Sequence, residues 1–291
     1  MKKILKQTLI IGAGPAGLSA AFYLARSGKT QVTVISNGQS ALQRADKIEN
    51  YFGFAEPVSG RQLLEDSRKN AERLGATFID TEITDLQINM EMKFEAYSSD
   101  GEKRIYDCVL IATGASRKTP PISGLKDFEG RGVSYCAVCD AFFYRGKDTA
   151  VIGSGSYALH EAMTLANTSS SVTVLTNGHE PSFEATGKIR VDKRKIYAIS
   201  GNDRVDSVVF EDGEKLYVSG VFVAIGTAGS TDLARKVGAP ISGSNIIVDE
   251  KMSTVVPGLY AAGDCTGGLL QISKAVSDGA AAAVNMIKFL G

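Results

Sequence analysis

The feature that most constrains this chain is a glycine turn set directly between a strand and a helix, which occurs twice. Gly12-Ala-Gly14-Pro15-Ala16-Gly17 follows the apolar run TLIIG (8–12) and opens a segment from Pro15 to about Ser27 with apolar residues at helical spacing. A second apolar run, QVTVI (31–35), completes a β-α-β unit. In such a turn the first glycine allows the sharp bend and the second lets backbone approach a pyrophosphate. The third lets the helix pack on the strand. The helix N-terminus adds N–H groups and a favourable dipole for phosphate. The same pattern returns as TAVIG (149–153), Gly153-Ser-Gly155-Ser-Tyr-Ala158, a helix from Ser156 to Asn167, and SVTVL (171–175). From first glycine to second strand the spacing runs 12 to 31 in one copy and 153 to 171 in the other, an internal repeat of a nucleotide-binding fold.

Between the repeats, a helix is expected around 60–74. Short alternating segments near 77–80, 83–89, 92–97 and 104–112 then predict an antiparallel layer that closes on YDCVLIATG. SRKTPPI (116–122) breaks the pattern with two prolines and reads as a linker. ISGSNIIV (241–248) has a linker's composition, and PGLYAAGD (257–264) is one more strand before a helix from about Leu269 to Leu290. That last strand needs a sheet, and the first domain is its natural host. The expectation is an α/β protein with two Rossmann-like three-layer domains, the second inserted into the first: 1–115 plus 246–291, and 116–245. A chain of 291 residues is long enough for two cores.

Thirty-two basic against 32 acidic residues argue against a strongly basic nucleic-acid binder. No run of eighteen apolar residues predicts a membrane span. Lys2, Lys3 and Lys6 read as a basic cap on the first strand rather than part of a leader, and the protein as cytoplasmic. Of four cysteines, Cys108 lies in an apolar strand and Cys265 follows Gly263-Asp264; both read as packing. Cys136 and Cys139 form a lone C-x-x-C, which in a cytosolic α/β chain points to redox work. Zinc would need two further ligands, but there is no second C-x-x-C or histidine cluster, so no metal is expected. His160 and His179 read as surface or packing residues.

GRGVSYCAVCDAFFYRGKDTAVIGSG (130–155) closely resembles the active-site region of the low-molecular-weight thioredoxin reductases, and the likeness runs from Gly12 to Gln271. Its most specific part is C-x-x-C-D placed just ahead of the second nucleotide-binding unit. The resemblance implies FAD in the first domain, held by Gly12, Gly14, Pro15, Ala16 and Gly17, with Ser36, Asn50, Ile83, Thr113, Gly114, Gly263, Asp264, Gln271 and Ile272. Asp264 would bond the ribityl chain, although a simple helix N-cap is the competing reading. At Ser36 the chain departs from the pattern, because an acidic residue there would bond the adenosine ribose. By the same resemblance Cys139 is the flavin-proximal thiol, Cys136 attacks the thioredoxin disulfide, Asp140 is the general acid/base, and the enzyme is a homodimer.

The second glycine motif departs further. Pyridine-nucleotide-dependent members end the next strand in His-Arg-Arg, which grips the 2′-phosphate of NADPH. Here SVTVL runs into Thr176-Asn177-Gly178-His179-Glu180-Pro181, with no arginine before Arg190. Ile225-Gly226 lacks the usual Pro-Asn, Leu270 stands where arginine is common, and the inserted domain looks shortened. The best match within the family is therefore the ferredoxin-dependent flavin thioredoxin reductases, with reduced ferredoxin as donor. Acidic ferredoxin would meet a basic face, for which Lys188, Arg190, Lys193, Arg194 and Lys195 are candidates, unless that run is simply a solvated edge. Hinges are expected near Ala115–Pro121 and Gly243–Ile247. An NADPH-dependent reductase, a dithiol oxidase using oxygen and a non-catalytic flavin sensor remain open alternatives.

Overall fold

The computed structural model describes residues 5–114, 120–185, 187–225 and 229–291. The chain divides into two compact units, Met1–Arg117 with Gly229–Gly291, and Lys118–Ala228. The first unit begins with β1 (Lys6–Ile11), α1 (Pro15–Ser27), β2 (Thr30–Ser36), α2 (Gly60–Arg73) and β3 (Thr77–Asp80). It continues through β4 (Ile83–Ile88), β5 (Phe94–Ser98), β6 (Lys103–Tyr106) and β7 (Cys108–Ile111). The second unit opens with β8 (Val133–Ser134), the helical turn α3 (Ala137–Asp140), β9 (Asp148–Ile152), α4 (Ser156–Ala166) and β10 (Ser171–Leu175). It closes with β11 (Ile189–Asp192), β12 (Ile196–Gly201), β13 (Val205–Phe210), β14 (Lys215–Tyr217) and β15 (Gly220–Val223). The chain then rejoins the first unit as α5 (Ser230–Lys236), β16 (Ile241–Ser242), β17 (Asn245–Ile246), β18 (Leu259–Ala261) and α6 (Ile272–Leu290).

The first unit is built on a parallel sheet of order β18-β7-β1-β2-β3. Strands covered on both faces need uninterrupted apolar runs, and Leu9, Ile10 and Ile11 in β1 and Val109, Leu110 and Ile111 in β7 are buried. Ala20, Ala21 and Leu24 of α1 share a core with Ala282, Ala283 and Met286 of α6 and with Ile10, Val34 and Leu110 of the sheet. The second unit repeats the plan with a parallel sheet of order β11-β10-β9-β15-β8 and an antiparallel sheet β12-β13-β14.

Three local expectations change. Residues 77–80 are not in the antiparallel layer: β3 pairs parallel with β2, because α2 carries the chain back before the strand begins. The segment 104–112 is two strands, not one. Asp107 breaks it, accepting a hydrogen bond from Gln7 N at 2.8 Å and lying 3.5 Å from Lys6 Nζ and 3.6 Å from Lys93 Nζ. Its amide donates back to Gln7 O, so β6 stays with the antiparallel sheet β4-β5-β6 while β7 pairs parallel with β1.

The third change concerns the return from the insertion. Residues 241–248 hold the β16–β17 hairpin, and the return falls at Ala228–Gly229 instead of 245–246. α5 belongs to the first unit because Lys236 pairs with Asp85 of β4 at 3.0 Å, both side chains fully buried. Gly243–Ile247, expected to be a hinge, thus lies inside the first unit, and residues 115–119 of the other expected hinge lie outside the described residues.

Removing one member of a buried ion pair leaves an uncompensated charge. Lys236→Ala is expected to lower unfolding stability by about 3–5 kcal/mol, measured by urea denaturation of the FAD-loaded protein.

Candidate active site

Parallel strands put their carboxyl ends on one edge. In the first unit Ile11 pairs with both Ile35 and Ile111, and Ile111 with Ala261. The segments leaving that edge are the Gly12–Gly17 turn, the end of β2 at Ser36, Thr113-Gly114 and Gly263-Asp264. Because β1 sits between β2 and β7, the connections diverge there, and such a switch point opens the crevice in which α/β sheets bind ligands.

The glycines divide by what a side chain would meet. At Gly12, with φ +106°, a Cβ would lie 2.5 Å from Ala112 O, and at Gly17 it would lie 2.0 Å from Gly12 O. These two positions have no room. At Gly14 the nearest atom is Ser40 Oγ at 3.8 Å, so the backbone faces open space where a pyrophosphate must approach. Gly14 caps α1 with no side-chain hydrogen bond, leaving the first-turn amides for an anion. These residues fit a dinucleotide.

The other expected cofactor residues converge unevenly. Asn50 Nδ2 donates to Gln271 Oε1 at 3.0 Å, joining two segments 221 residues apart in sequence. Gln271 is the N-cap of α6 and Ile272 its first residue, and Gly114 has φ +78°. Ser36 Oγ accepts from Gly38 N at 3.2 Å. Ile83 is a buried core residue of the antiparallel sheet, paired with Ser98. Asp264 is half-buried and begins a short 3₁₀ turn, while α6 starts only at Ile272, so Asp264 does not cap the final helix.

Two residues of this region have no counterpart in the sequence reading. Lys274 Nζ donates to Gly263 O (3.0 Å), Thr266 Oγ1 (2.9 Å) and Gly267 O (2.7 Å) and pairs with Asp278 Oδ2 (2.7 Å). Asp278 also accepts from Gly263 N at 3.1 Å, so the pair locks the Gly263–Gly267 turn. The only sequence signal was Lys and Asp four apart on one helix face.

In the second unit Cys136 and Cys139 form a disulfide with Cα atoms 5.3 Å apart. Cys136 caps α3, its Sγ accepting from Cys139 N at 3.2 Å. Cys136 is buried, at 3% exposure, while Cys139 is exposed. Asp140 Oδ2 accepts from Ser134 Oγ at 2.6 Å, and that same Oγ accepts from Cys136 N at 3.1 Å, tying the acid to the cysteine through one hydroxyl. Ala137 N, the first amide of the turn, donates at 2.7 Å to Glu161 Oε2 on α4. Just beyond, Phe142 and Phe143 stand 70% and 65% exposed, and the Arg145 guanidinium lies 5.3 Å from the Phe142 ring centre.

The other two cysteines are packing residues. Both are fully buried, and burial raises both thiols, Cys265 to about 12, which keeps them protonated and unreactive.

At the second glycine turn Gly153 is as crowded as Gly12, with a Cβ lying 2.1 Å from Ala224 O. Beyond β10, however, the chain folds back on the turn. Asn177, at φ 51°, accepts from Ile196 N at 2.7 Å, and Gly178 N donates to Lys193 O. Ser182 N then donates at 2.9 Å to Ser154 O, inside the glycine turn itself. The chain reaches β11 from β10 with no helix between them among the described residues. In the basic run, Lys193 pairs with Glu180 at 2.6 Å, and Arg194 pairs with Asp192 at 2.6 Å while covering the Phe210 ring. Lys188, Arg190 and Lys195 are exposed.

A dinucleotide cradle in one unit and a C-x-x-C disulfide ahead of a second glycine turn in the other define a flavin-linked dithiol oxidoreductase. The family model for pyridine nucleotide-disulphide oxidoreductases matches residues 6–279. The chain belongs to this family, within its low-molecular-weight thioredoxin reductases, whose cofactor is FAD. It is 36% identical to a thioredoxin reductase of Aquifex aeolicus, over 97% of this chain and 92% of that one. Among solved structures, the atypical thioredoxin reductase TRi of Desulfovibrio vulgaris Hildenborough superposes with a TM-score of 0.92 at 39% identity, covering 98% of both chains. A ferredoxin-flavin thioredoxin reductase of Clostridium acetobutylicum gives 0.71 at 30% identity, covering 97% of both. The expectation that the ferredoxin-dependent branch is the best match is corrected accordingly: the Desulfovibrio protein is more similar in both fold and sequence.

A methyl group at Gly17 would have to displace the Gly12 carbonyl. Gly17→Ala is therefore expected to weaken FAD retention about tenfold or more, equivalent to roughly 1.4 kcal/mol or above, read as the 450 nm to 280 nm absorbance ratio after dialysis.

Proposed function

We propose that this chain is an FAD-dependent disulfide reductase that reduces thioredoxin through Cys136 and Cys139, supplied by a one-electron carrier such as reduced ferredoxin instead of NADPH. The disulfide reductase part rests on the Cys136–Cys139 pair on a capped helical turn. FAD, when bound by the Gly12–Gly17 turn, Asn50, Gln271 and Asp264, supplies a redox group that takes up electrons singly or in pairs. The chain's own residues do the rest. Asp140, linked to Cys136 through Ser134, is placed to hold or release the proton that accompanies thiol-disulfide exchange. Exposed Phe142 and Phe143 beside the pair form the kind of apolar surface that a protein substrate covers. A homodimeric state and the cytoplasmic location read from the N-terminal sequence belong to the same proposal, and a pair reduced in every turnover suits a reducing compartment.

For the donor, the supporting observation is the Ser182–Ser154 hydrogen bond. Part of the chain itself lies on the glycine turn where a pyridine nucleotide's phosphates would bind, and no arginine stands at the strand end. Lys193 and Arg194 are neutralised by Glu180 and Asp192, so the basic face narrows to Lys188, Arg190 and Lys195.

The thiol roles carried over from the resemblance make Cys136 the attacking sulfur, although in the oxidised pair Cys139 is the exposed one. Cys136→Ser is expected to abolish thioredoxin reduction, and Cys139→Ser to leave a Cys136 thiol that traps thioredoxin as a mixed disulfide on a non-reducing gel. Trapping by Cys136→Ser instead would reverse the roles.

Losing two charge-assisted contacts to a 2′-phosphate costs about 3–6 kcal/mol, roughly a hundred- to ten-thousand-fold in affinity. Anaerobic flavin bleaching is therefore expected with photoreduced ferredoxin and not with micromolar NADPH. Rapid, saturable bleaching by NADPH alone would overturn the choice of donor and leave the disulfide chemistry in place.

A further inference from the structure

The second glycine motif keeps its shape although no arginine follows the next strand before Arg190. Gly153 has no room for a side chain, since its Cβ would lie 2.1 Å from Ala224 O and 2.8 Å from Ala158 Cβ. That close packing fixes where α4 starts. One turn later α4 carries Glu161, only 1% exposed, and its carboxyl group accepts the Ala137 amide at 2.7 Å. A carboxyl group is costly to bury without compensating hydrogen bonds, and here the amide it takes is the one that opens the redox turn.

We infer that Glu161 is the positioning residue of the redox pair: it fixes the Cys136–Cys139 turn and disfavours thiolate at Cys136. The inference rests on the reading of Cys136 and Cys139 as a working dithiol. Amides at a helix N-terminus ordinarily stabilise a capping thiolate. In this turn Cys139 N points at Cys136 Sγ, but the Ala137 amide is taken by the buried Glu161 carboxyl group. An ionised Glu161 would oppose a second negative charge on Cys136, which favours the disulfide over the thiolate form. The pair then gives its electrons up more readily, the property a reductase of protein disulfides requires. Asp140 on the turn, Tyr144 just after it, and Tyr157 and His160 on α4 are titratable groups on the elements packed against the turn, and the Arg204 guanidinium bonds to Tyr144.

The test uses the full-length FAD-loaded protein with Glu161→Gln and Glu161→Ala. Glutamine keeps an acceptor oxygen for Ala137 N and removes the charge; alanine removes both. In a Cys139→Ser background, the iodoacetamide alkylation rate of Cys136 is followed against pH. With both cysteines present, the pair is equilibrated with dithiothreitol redox buffers. Glu161→Gln is expected to lower the Cys136 thiol pKa, so that alkylation near pH 7 runs about three- to tenfold faster. It should also shift the equilibrium toward the dithiol by up to about tenfold, or about 30 mV for two electrons. Glu161→Ala is expected to shift both readouts at least as far and to slow closure of the disulfide, a loss that glutamine rescues. Should alanine fail to fold, glutamine alone decides the matter, because a purely structural acceptor role would not move the thiol pKa between Glu and Gln. Agreement of Glu161→Gln with wild type within twofold on both readouts overturns the proposal. A wild-type pair that no dithiol reduces would instead overturn the underlying redox reading, and the proposal with it.

Discussion

The close approach of α1 to the end of β1 is the contact on which the rest of the first unit depends. Gly17 has no side chain because the Gly12 carbonyl occupies its place, and Gly279 of α6 has none because Ala16 O lies 2.1 Å from where its Cβ would be. Three backbone segments thus meet at one point, with the last helix of the chain pressed onto the first. That contact aims the α1 amides at the crevice and brings Gln271, at the α6 N-terminus, within reach of Asn50. Lys274 and Asp278 then hold the Gly263–Gly267 turn to the same helix. The edge of the crevice and the closure of the unit share one set of contacts.

The second unit uses the same geometry for a different end. Gly153 seats α4 as tightly as Gly12 and Gly17 seat α1. One residue that α4 presents is Glu161, whose carboxyl group accepts the Ala137 amide of the redox turn. Beyond β10 the Thr176–Ser182 segment is tied down at Asn177, Gly178 and Ser182, the last to Ser154 O of the glycine turn. A duplicated fold has therefore diverged by what lies on its turn, with its sheet order and parallel pairing kept.

Electrostatics sorts the four cysteines. Cys108 and Cys265, deep among apolar neighbours, are held as thiols by burial. Cys136 and Cys139 sit where a helix N-terminus, a serine hydroxyl and two carboxyl groups converge, the setting in which a sulfur's proton and electron chemistry is adjustable. Position in the field, and not the residue type, separates packing sulfur from reactive sulfur.

The sequence alone determined both glycine turns, the α1 and α2 spans, the C-x-x-C-D motif and the missing arginines after β10. Each is written in contiguous residues whose sterics or spacing allow few alternatives. It misplaced β3 among the antiparallel strands and made 104–112 one strand, because alternation reports which faces are buried and not which strand is the neighbour. It read 241–248 as a linker because Gly and Ser say nothing of the buried Lys236–Asp85 pair that returns the chain to the first unit at Gly229. Only the tertiary structure could bring Asn50 to Gln271, Ser182 to Ser154 and Glu161 to Ala137. Those contacts join residues 24 to 221 positions apart, and they exist only once helices and strands have packed.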